Sequence, residues 1–217
     1  MTDTILQWNC RGLISNIDDI NDLFDRYNAA CFCIQETNLN PKHTNVFRRF
    51  NIFRKDRIGA VRSSGGVAIL TAKHVPVKGV PLATDLETVA VQMCLDRLIT
   101  VCSLYLPPSD DIQQKQLENL INQLPRPFLI LGDFNAHNSL WGSARIDSRG
   151  KMVERVIMSN PLCLLNTGTP TYVNAATQSF SALDLSFCSP SLYQYATWKV
   201  DQNPYGSDHF PVVIKFR

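Results

Sequence analysis

The chain has 217 residues, 45% of them hydrophobic and 18% charged, with a formal net charge of +2 at pH 7. This length and apolar content predict a single domain, residues 1–217, with a large core. Apolar runs stay well short of the ~20 residues of a membrane span, and residues 1–4 lack the basic start of a signal peptide. We therefore expect no membrane association.

The seven cysteines include no C-x-x-C pair, which excludes the common zinc and redox motifs. Cys31 and Cys33 lie in an apolar, strand-like run, where a free thiol behaves as a small apolar side chain. This usage predicts buried free thiols in a reducing, intracellular compartment.

Basic residues are concentrated in one tract. Residues 42–62 contain seven basic residues and one acid, Asp56, which gives a local charge of +6 and leaves −4 for the rest of the chain. A solvated charged face is the ordinary explanation. A basic tract on a near-neutral chain is also typical of a surface that contacts phosphate, with Arg48 and Arg49 as its candidates.

The first half of the chain predicts alternating strands and helices. Alternation over residues 4–9 indicates a half-buried strand, and the helical period of the next apolar residues indicates a helix from Ile14 to Tyr27. Further strands are predicted over 29–34, 67–71, 89–94 and 98–105. The last two form an antiparallel hairpin, because Asp96-Arg97 suits a two-residue turn.

The second half predicts short strands around two helices. One helix is capped by Ser109 and ended by Pro125, and a second covers 152–158 after a polar loop over 136–151. Strands are predicted over 128–131, 163–165, 171–173, 183–187, 196–200 and 212–216. Many short strands with three helices favour an α/β or α+β fold of packed layers.

Polar residues follow the apolar strands at their exits: Asn9, Glu36, Tyr105, Asp133, Asn135, Asp184, Asp208 and His209. Alternate residues of an extended segment point the same way, so Asp133 and Asn135 are expected to face one pocket while Phe134 packs behind them. Asp184 lies within an apolar strand, where a carboxylate needs a partner, and an imidazole is the obvious candidate.

Each of these residues also has an ordinary structural explanation. Asn9 and Glu36 could cap strand ends, Tyr105 could be a boundary aromatic, and Asp133 could form an Asx-turn. Together, however, they match the needs of phosphodiester hydrolysis. That reaction uses carboxylate and amide oxygens for Mg²⁺, with Mn²⁺ as a substitute, a histidine base, and donors that hold the phosphate.

The motifs then resemble a known superfamily. Their order is Trp8-Asn9, Gln35-Glu36-Thr37, Tyr105, Gly132-Asp133-Phe134-Asn135, Leu183-Asp184 and Ser207-Asp208-His209, as in the endonuclease/exonuclease/phosphatase superfamily. The runs 8–13, 135–143 and 181–184 resemble more narrowly the endonuclease domain of non-LTR (LINE-like) retrotransposons. The resemblance implies a DNase I-like α/β (α+β) fold, a four-layered sandwich of two mixed β-sheets flanked by helices.

The resemblance also implies roles for the strand-end residues. Glu36 would be the main metal ligand, with Asn9 and Asp208 near the ion. His209 would be the general base, oriented by Asp184 rather than by the adjacent Asp208. Asp133 would position the water or the leaving group, and Asn135 and Tyr105 would bind the scissile phosphate. DNA contacts would come from Arg11, Asn138, Trp141, Ser181, Arg48 and Arg49.

The implied activity is a nick in double-stranded DNA within the nucleus, leaving a 3′-hydroxyl that primes reverse transcription. A reverse transcriptase domain is expected in cis, so the chain would be a monomeric N-terminal part of a longer polyprotein. Arg11 stands where abasic-site repair enzymes carry an acid, which disfavours repair. The alternatives are a phosphoesterase acting on abasic DNA, inositol phosphates or sphingomyelin, and a binding module without catalysis.

Overall fold

The computed structural model describes residues 3–43, 47–57 and 64–217, and within them two six-stranded sheets pack against each other. The strands are β1 (Asp3–Asn9), β2 (Cys31–Gln35), β3 (Phe50–Lys55), β4 (Val67–Ala72), β5 (Val77–Val80), β6 (Glu87–Cys94), β7 (Leu98–Tyr105), β8 (Phe128–Asp133), β9 (Cys163–Leu164), β10 (Tyr172–Val173), β11 (Phe180–Ser181), β12 (Asp184–Cys188), β13 (Ala196–Val200) and β14 (Val212–Phe216).

Both sheets are mixed. The first has the order β13-β14-β1-β2-β4-β3 and the second β5-β6-β7-β8-β12-β9, while β10 and β11 form a separate hairpin. The pairs β1–β2 and β7–β8 are parallel, and the other pairs are antiparallel. The predicted hairpin of β6 and β7 is present, with Cys94 opposite Leu98.

Three longer helices of the described residues pack on the outer faces of the sheets, and a short fourth helix connects the second sheet to the first. They are α1 (Ile17–Arg26), α2 (Gln114–Gln123), α3 (Ser148–Ser159) and α4 (Pro190–Tyr193), with a 3₁₀ turn at Ser139–Trp141. α1 packs on the first sheet, where the Phe24 and Phe50 rings are 4.6 Å apart. α2 and α3 pack on the second sheet. The sequence-predicted four-layered sandwich is therefore confirmed. None of the helices described could span a membrane.

Several element boundaries differ from the predictions. α2 begins at Gln114, because Gln113 and Gln116 form a capping box in place of the expected Ser109 cap. α3 begins four residues earlier than predicted, where the Asp147 side chain accepts from Gly150 N. β1 is buried on both faces from Thr4 onward, since the second sheet covers one side and helical and loop segments the other.

Strand register brings the polar strand ends together. Across β7, β8 and β12, Tyr105 lies opposite Asp133, and Asp133 lies opposite Asp184. In the first sheet, Asn9 lies opposite Gln35, next to Glu36. β14 starts opposite Gln7, so the loop that carries His209 enters the same end of the sandwich.

Gly132→Ala should destabilise the fold, because an added Cβ would lie 1.8 Å from the Leu104 carbonyl oxygen of the neighbouring strand. We expect a loss of about 3 kcal/mol in the free energy of unfolding, measured by urea titration. Gly79→Ala is the matched strand control, since its Cβ would meet Phe53 at an ordinary 3.5 Å. Equal stability of the two variants would contradict the close approach of β7 and β8.

Candidate active site

A buried carboxylate–imidazole pair lies at the centre of the site. His209 Nδ1 donates to Asp184 Oδ2 at 2.8 Å, and the two residues are 5% and 0% exposed. The loop that carries His209 is fixed by Trp8 Nε1, which donates to the His209 carbonyl oxygen at 2.8 Å. The Tyr172 ring packs beside the imidazole, with 4.9 Å between ring centroids. Asp184, from β12, is thus the partner of His209 that the sequence predicts.

A second carboxylate faces the other imidazole nitrogen. Asp133 Oδ2 is 3.8 Å from His209 Nε2 and accepts from the Asn9 and Asn135 side-chain amides at 2.9 and 3.1 Å. Asp133 Oδ1 accepts from the Asn135 backbone N–H. Asp184, His209 and Asp133 therefore form one line, with His209 in the middle.

Burial and the neighbouring charges shift the pKa values of His209 and Asp133. Burial lowers the pKa of His209, but the charges of Asp184 and Asp133 and the hydrogen bond to Asp184 outweigh it, and the pKa rises to about 9. Burial raises the pKa of Asp133 to about 7, although the charge of His209 opposes the shift. The charge of each group thus changes the pKa of the other.

Glu36 is held in a left-handed backbone conformation at the end of β2, with φ of 49°. Its carbonyl accepts from Gly12 N, and the next amide, of Thr37, donates to Gly66 O. Two side chains donate to Glu36 Oε1, Asn9 Nδ2 at 2.9 Å and Tyr105 OH at 3.0 Å. A strained turn fixed from both sides is typical of a functional position.

Burial and the nearby Glu36 charge raise the pKa of Tyr105, so its hydroxyl remains a donor at any ordinary pH. Asn135 is also left-handed, with φ of 47°, and its amide donates to the Leu106 carbonyl as well as to Asp133. Both donors therefore lie at the cleft, where the resemblance implies that the scissile phosphate binds.

The donor set fits a hard divalent cation. Asp208 Oδ1 is buried without a hydrogen-bond partner, while its Oδ2 pairs with Arg11 at 3.0 Å, and both Asp208 and Glu36 line the same open cleft. No cluster of three or more His, Cys, Asp and Glu side chains could hold a metal within the described ranges. Mg²⁺ needs no such cage, because it binds through one or two carboxylates with water and phosphate oxygens completing its shell.

Asn9, a metal ligand in the resemblance, contacts two carboxylates and one backbone amide. Its Nδ2 donates to both Glu36 and Asp133, and its Oδ1 accepts from the Arg11 backbone N–H. Asn9 therefore bridges two carboxylates as a donor, and its role as a metal ligand stays a prediction.

The open cleft has a volume of about 750 Å³ and brings most of the predicted residues together. Of the predicted DNA contacts, Arg11 and Ser181 line it. Asn138 and Trp141 do not, because they are 2% and 0% exposed. Asn138 caps the 3₁₀ turn and donates to Glu154, and Trp141 Nε1 donates to Ala136 O. These two residues support the loop after β8 and do not offer a DNA-contact surface.

Arg48 and Arg49 lie away from the cleft. They precede β3, whose first residue pairs with Ala72, whereas the Glu36 end of the sheet is marked by the pairing of Lys55 with Val67. Arg49 forms an ion pair with Asp25 of α1. The predicted DNA contact is therefore at the opposite end of the first sheet from the site.

The rest of the basic tract is used mainly inside the protein. Arg54 and Lys55 donate to main-chain carbonyls, and Arg57 pairs with Glu87 and Asp110. Arg62 lies outside the described residues. The local charge of +6 is thus partly neutralised by structural contacts.

Three residues to which the sequence assigned no role, Gln7, Gln35 and Arg149, support the site. Gln7 and Gln35 are completely buried, and Gln7 donates to Asp184 Oδ1 at 2.9 Å. Arg149 donates to five main-chain carbonyls, of Leu106, Pro107, Pro108, Asp110 and Phe134. The available signal for Gln7 was its polar side chain within an otherwise apolar stretch, Ile5-Leu6-Gln7-Trp8.

Arg149→Lys should destabilise the cleft, because an ammonium group cannot reproduce the planar fork that joins the carbonyls of residues 106–110, after β7, to the carbonyl of Phe134, after β8. We expect a loss of about 2 kcal/mol in the free energy of unfolding, measured by denaturant titration. Arg155→Lys on the same helix is the control, since Arg155 is exposed and its guanidinium contacts Gln114. Equal losses would argue against a special role for Arg149.

Comparisons with known proteins agree with this geometry. A family model described as endonuclease-reverse transcriptase matches residues 99–213, more than half of the chain. The "Probable RNA-directed DNA polymerase from transposon X-element" of Drosophila melanogaster is 24% identical over 217 residues, which cover 97% of this chain and 24% of that protein. The chain therefore spans about a quarter of this relative's length.

Two solved structures share the fold. The endonuclease domain of TRAS1, a telomere-specific non-LTR retrotransposon, has 24% identity and a TM-score of 0.85, covering 100% of this chain and 99% of its own. The AP endonuclease LMAP from Leishmania major has 14% identity and a TM-score of 0.78, covering 100% and 88%. The chain thus belongs to the endonuclease-reverse transcriptase family, with the DNase I-like fold of a non-LTR retrotransposon endonuclease domain.

Proposed function

We propose that this domain hydrolyses one phosphodiester bond of double-stranded DNA in a divalent-metal-dependent reaction, leaving a 3′-hydroxyl that primes reverse transcription in the nucleus. The observation that carries the proposal is the buried line of Asp184, His209 and Asp133 at the wall of an open cleft. The family match and the relative described as an RNA-directed DNA polymerase support a reverse transcriptase in cis.

Residues on the cleft wall can supply the proton transfer that hydrolysis requires. The oxygen of a water bonds to phosphorus, and a proton of that water passes to the Asp133–His209 pair. The accepting atoms of this pair, Asp133 Oδ2 and His209 Nε2, are 3.8 Å apart. The bond from phosphorus to the 3′ oxygen breaks, and that oxygen takes up a proton from the solvent to become the 3′-hydroxyl. The pair then releases to the solvent the proton that it received, so that one water is consumed. Asp184 holds the imidazole in place throughout, as a carboxylate bonded to Nδ1.

The remaining residues would hold the metal ion and bind the phosphate. Glu36 and Asp208 would hold Mg²⁺ or Mn²⁺, which supplies positive charge against the phosphate oxygens. The Tyr105 hydroxyl and the Asn135 amide would turn from their present acceptors towards the bound phosphate. Their attachment to the ends of β7 and β8 keeps both donors beside the Asp133 carboxylate.

Cleavage of abasic DNA, inositol phosphates or sphingomyelin is the competing activity for this fold. The pairing of Arg11 with Asp208 places a cation beside a candidate metal ligand and thereby lowers the negative charge available there. Because Arg11 also stands where abasic-site repair enzymes carry an acid, we favour undamaged DNA over abasic DNA. Parallel assays of abasic DNA, inositol phosphates and sphingomyelin beside supercoiled plasmid test the choice.

His209→Ala should lower the nicking rate by about 10²–10⁴-fold, since it removes the centre of the proton-holding line. Relaxation of supercoiled plasmid with Mg²⁺ present measures the rate, and fluorescence anisotropy measures DNA affinity, which should remain. His74→Ala is the control, because His74 is exposed between β4 and β5 at the far end of the sheet. Undiminished nicking by His209→Ala would refute the proposed mechanism.

Arg145→Gln should weaken DNA binding and make its salt dependence shallower, because Arg145 is an exposed cation on the wall of the cleft. We expect the slope of log affinity against log salt to fall by about 0.9 in magnitude for one lost phosphate contact. Lys215→Gln, an exposed cation of β14 opposite Thr4, lies at the other end of the sheet and should leave the slope unchanged. Identical slopes in both variants would remove Arg145 from the DNA surface.

A further inference from the structure

We propose that Gln7 is a positioning residue for hydrolysis, whose side-chain amide fixes the orientation of Asp184 and through it the imidazole of His209. This inference rests on the proposed function and deepens it, because it adds a residue that acts on the reaction through another.

The two oxygens of Asp184 have separate partners. Oδ2 accepts from His209 Nδ1 at 2.8 Å, and Oδ1 accepts from Gln7 Nε2 at 2.9 Å. A carboxylate held at one oxygen alone can rotate about its bond to Cβ. Because Gln7 holds the second oxygen, the plane of the carboxylate is fixed, and so is the direction in which it receives the imidazole N–H.

Gln7 reaches Asp184 from the other sheet. It belongs to β1 of the first sheet, and Asp184 belongs to β12 of the second. Gln7 Nε2 also donates to Gln35 Oε1 at 2.6 Å, and Gln35 Nε2 donates to Ser103 Oγ at 2.9 Å, back in the second sheet. All four residues are completely buried, so this chain of hydrogen bonds is shielded from water.

The unpaired oxygen of Gln7 supports a functional role. Both Nε2 hydrogens are used, while Oε1 is buried with no hydrogen-bond partner. The reverse amide orientation would place Oε1 against Asp184 Oδ1, two acceptors in contact. An unpaired buried carbonyl destabilises the fold, so an apolar residue would serve a purely structural role better. The amide is therefore explained by the donor that it presents to Asp184.

Gln7→Met is the direct test, because it keeps the length of the side chain and removes the donor. We expect kcat for plasmid nicking to fall on the order of 10- to 100-fold, with the KM for DNA unchanged. If Gln7→Met proves poorly folded, Gln7→Asn replaces it as the test. Its amide is one methylene too short to reach Asp184, so we expect the same loss of kcat. Thr100→Val is the control, since the Thr100 hydroxyl is also buried and unpaired but has no contact with Asp184.

Two further measurements separate positioning from simple stability. The low-field proton resonance of the His209 N–H bonded to Asp184 should broaden or shift in folded Gln7→Met and stay in place in Thr100→Val. In an Asp184→Asn background, Gln7→Met should cause no further loss of kcat, because the residue through which it acts has already been altered.

The outcomes distinguish this inference from the proposed function. Wild-type kcat and an unchanged resonance in Gln7→Met, with nicking abolished in His209→Ala, would overturn the positioning role and leave the proposed function intact. Full nicking by His209→Ala would overturn both. A loss of kcat in Gln7→Met that simply adds to that of Asp184→Asn would also reject the inference.

Discussion

A fully buried carboxylate must be paired, and the pairing of Asp184 organises the end of the sandwich that carries the site. His209 donates to one oxygen of Asp184 and Gln7 donates to the other. The loop before β14 and strand β1 of the first sheet therefore both contact this carboxylate of the second sheet. Burial lowers the pKa of His209, but the two carboxylates that flank the imidazole outweigh this effect and raise the pKa to about 9.

The site combines this rigid centre with strained turns at its edge. Arg11, Glu36 and Asn135 all have positive φ, and each follows a strand that ends at the cleft. Hydrogen bonds from Gly12 and to Gly66 hold the Glu36 turn, and the Arg149 guanidinium holds the carbonyls around the Asn135 turn. The strain is thus offset by hydrogen bonds to groups that take no part in the reaction, which keep the backbone of these turns in place.

The basic tract predicted residues at the cleft less well than the polar residues at the strand ends did. The tract from 42 to 62 was the strongest basic signal in the sequence, yet Arg54 and Lys55 donate hydrogen bonds to main-chain carbonyls and Arg49 pairs with Asp25. Net charge over a window counts cations without saying which face they occupy or which partners they have. Polarity alone was also a poor guide, because the polar residue Asn138 caps the 3₁₀ turn inside the loop after β8.

The sequence by itself determined most of the strands, the layered α/β class and the group of residues at the strand exits, because apolar periodicity and motif spacing are local properties. It did not predict β3, β5 or β11. An acid in an apolar strand indicated that Asp184 needs a partner such as an imidazole, and the resemblance implied that this partner is His209. Only the tertiary structure decided that Asn9 bridges carboxylates, that Trp141 is buried and that Gln7 crosses between the sheets to Asp184. Those contacts join residues up to 177 positions apart, and such pairings depend on sheet packing that no local pattern encodes.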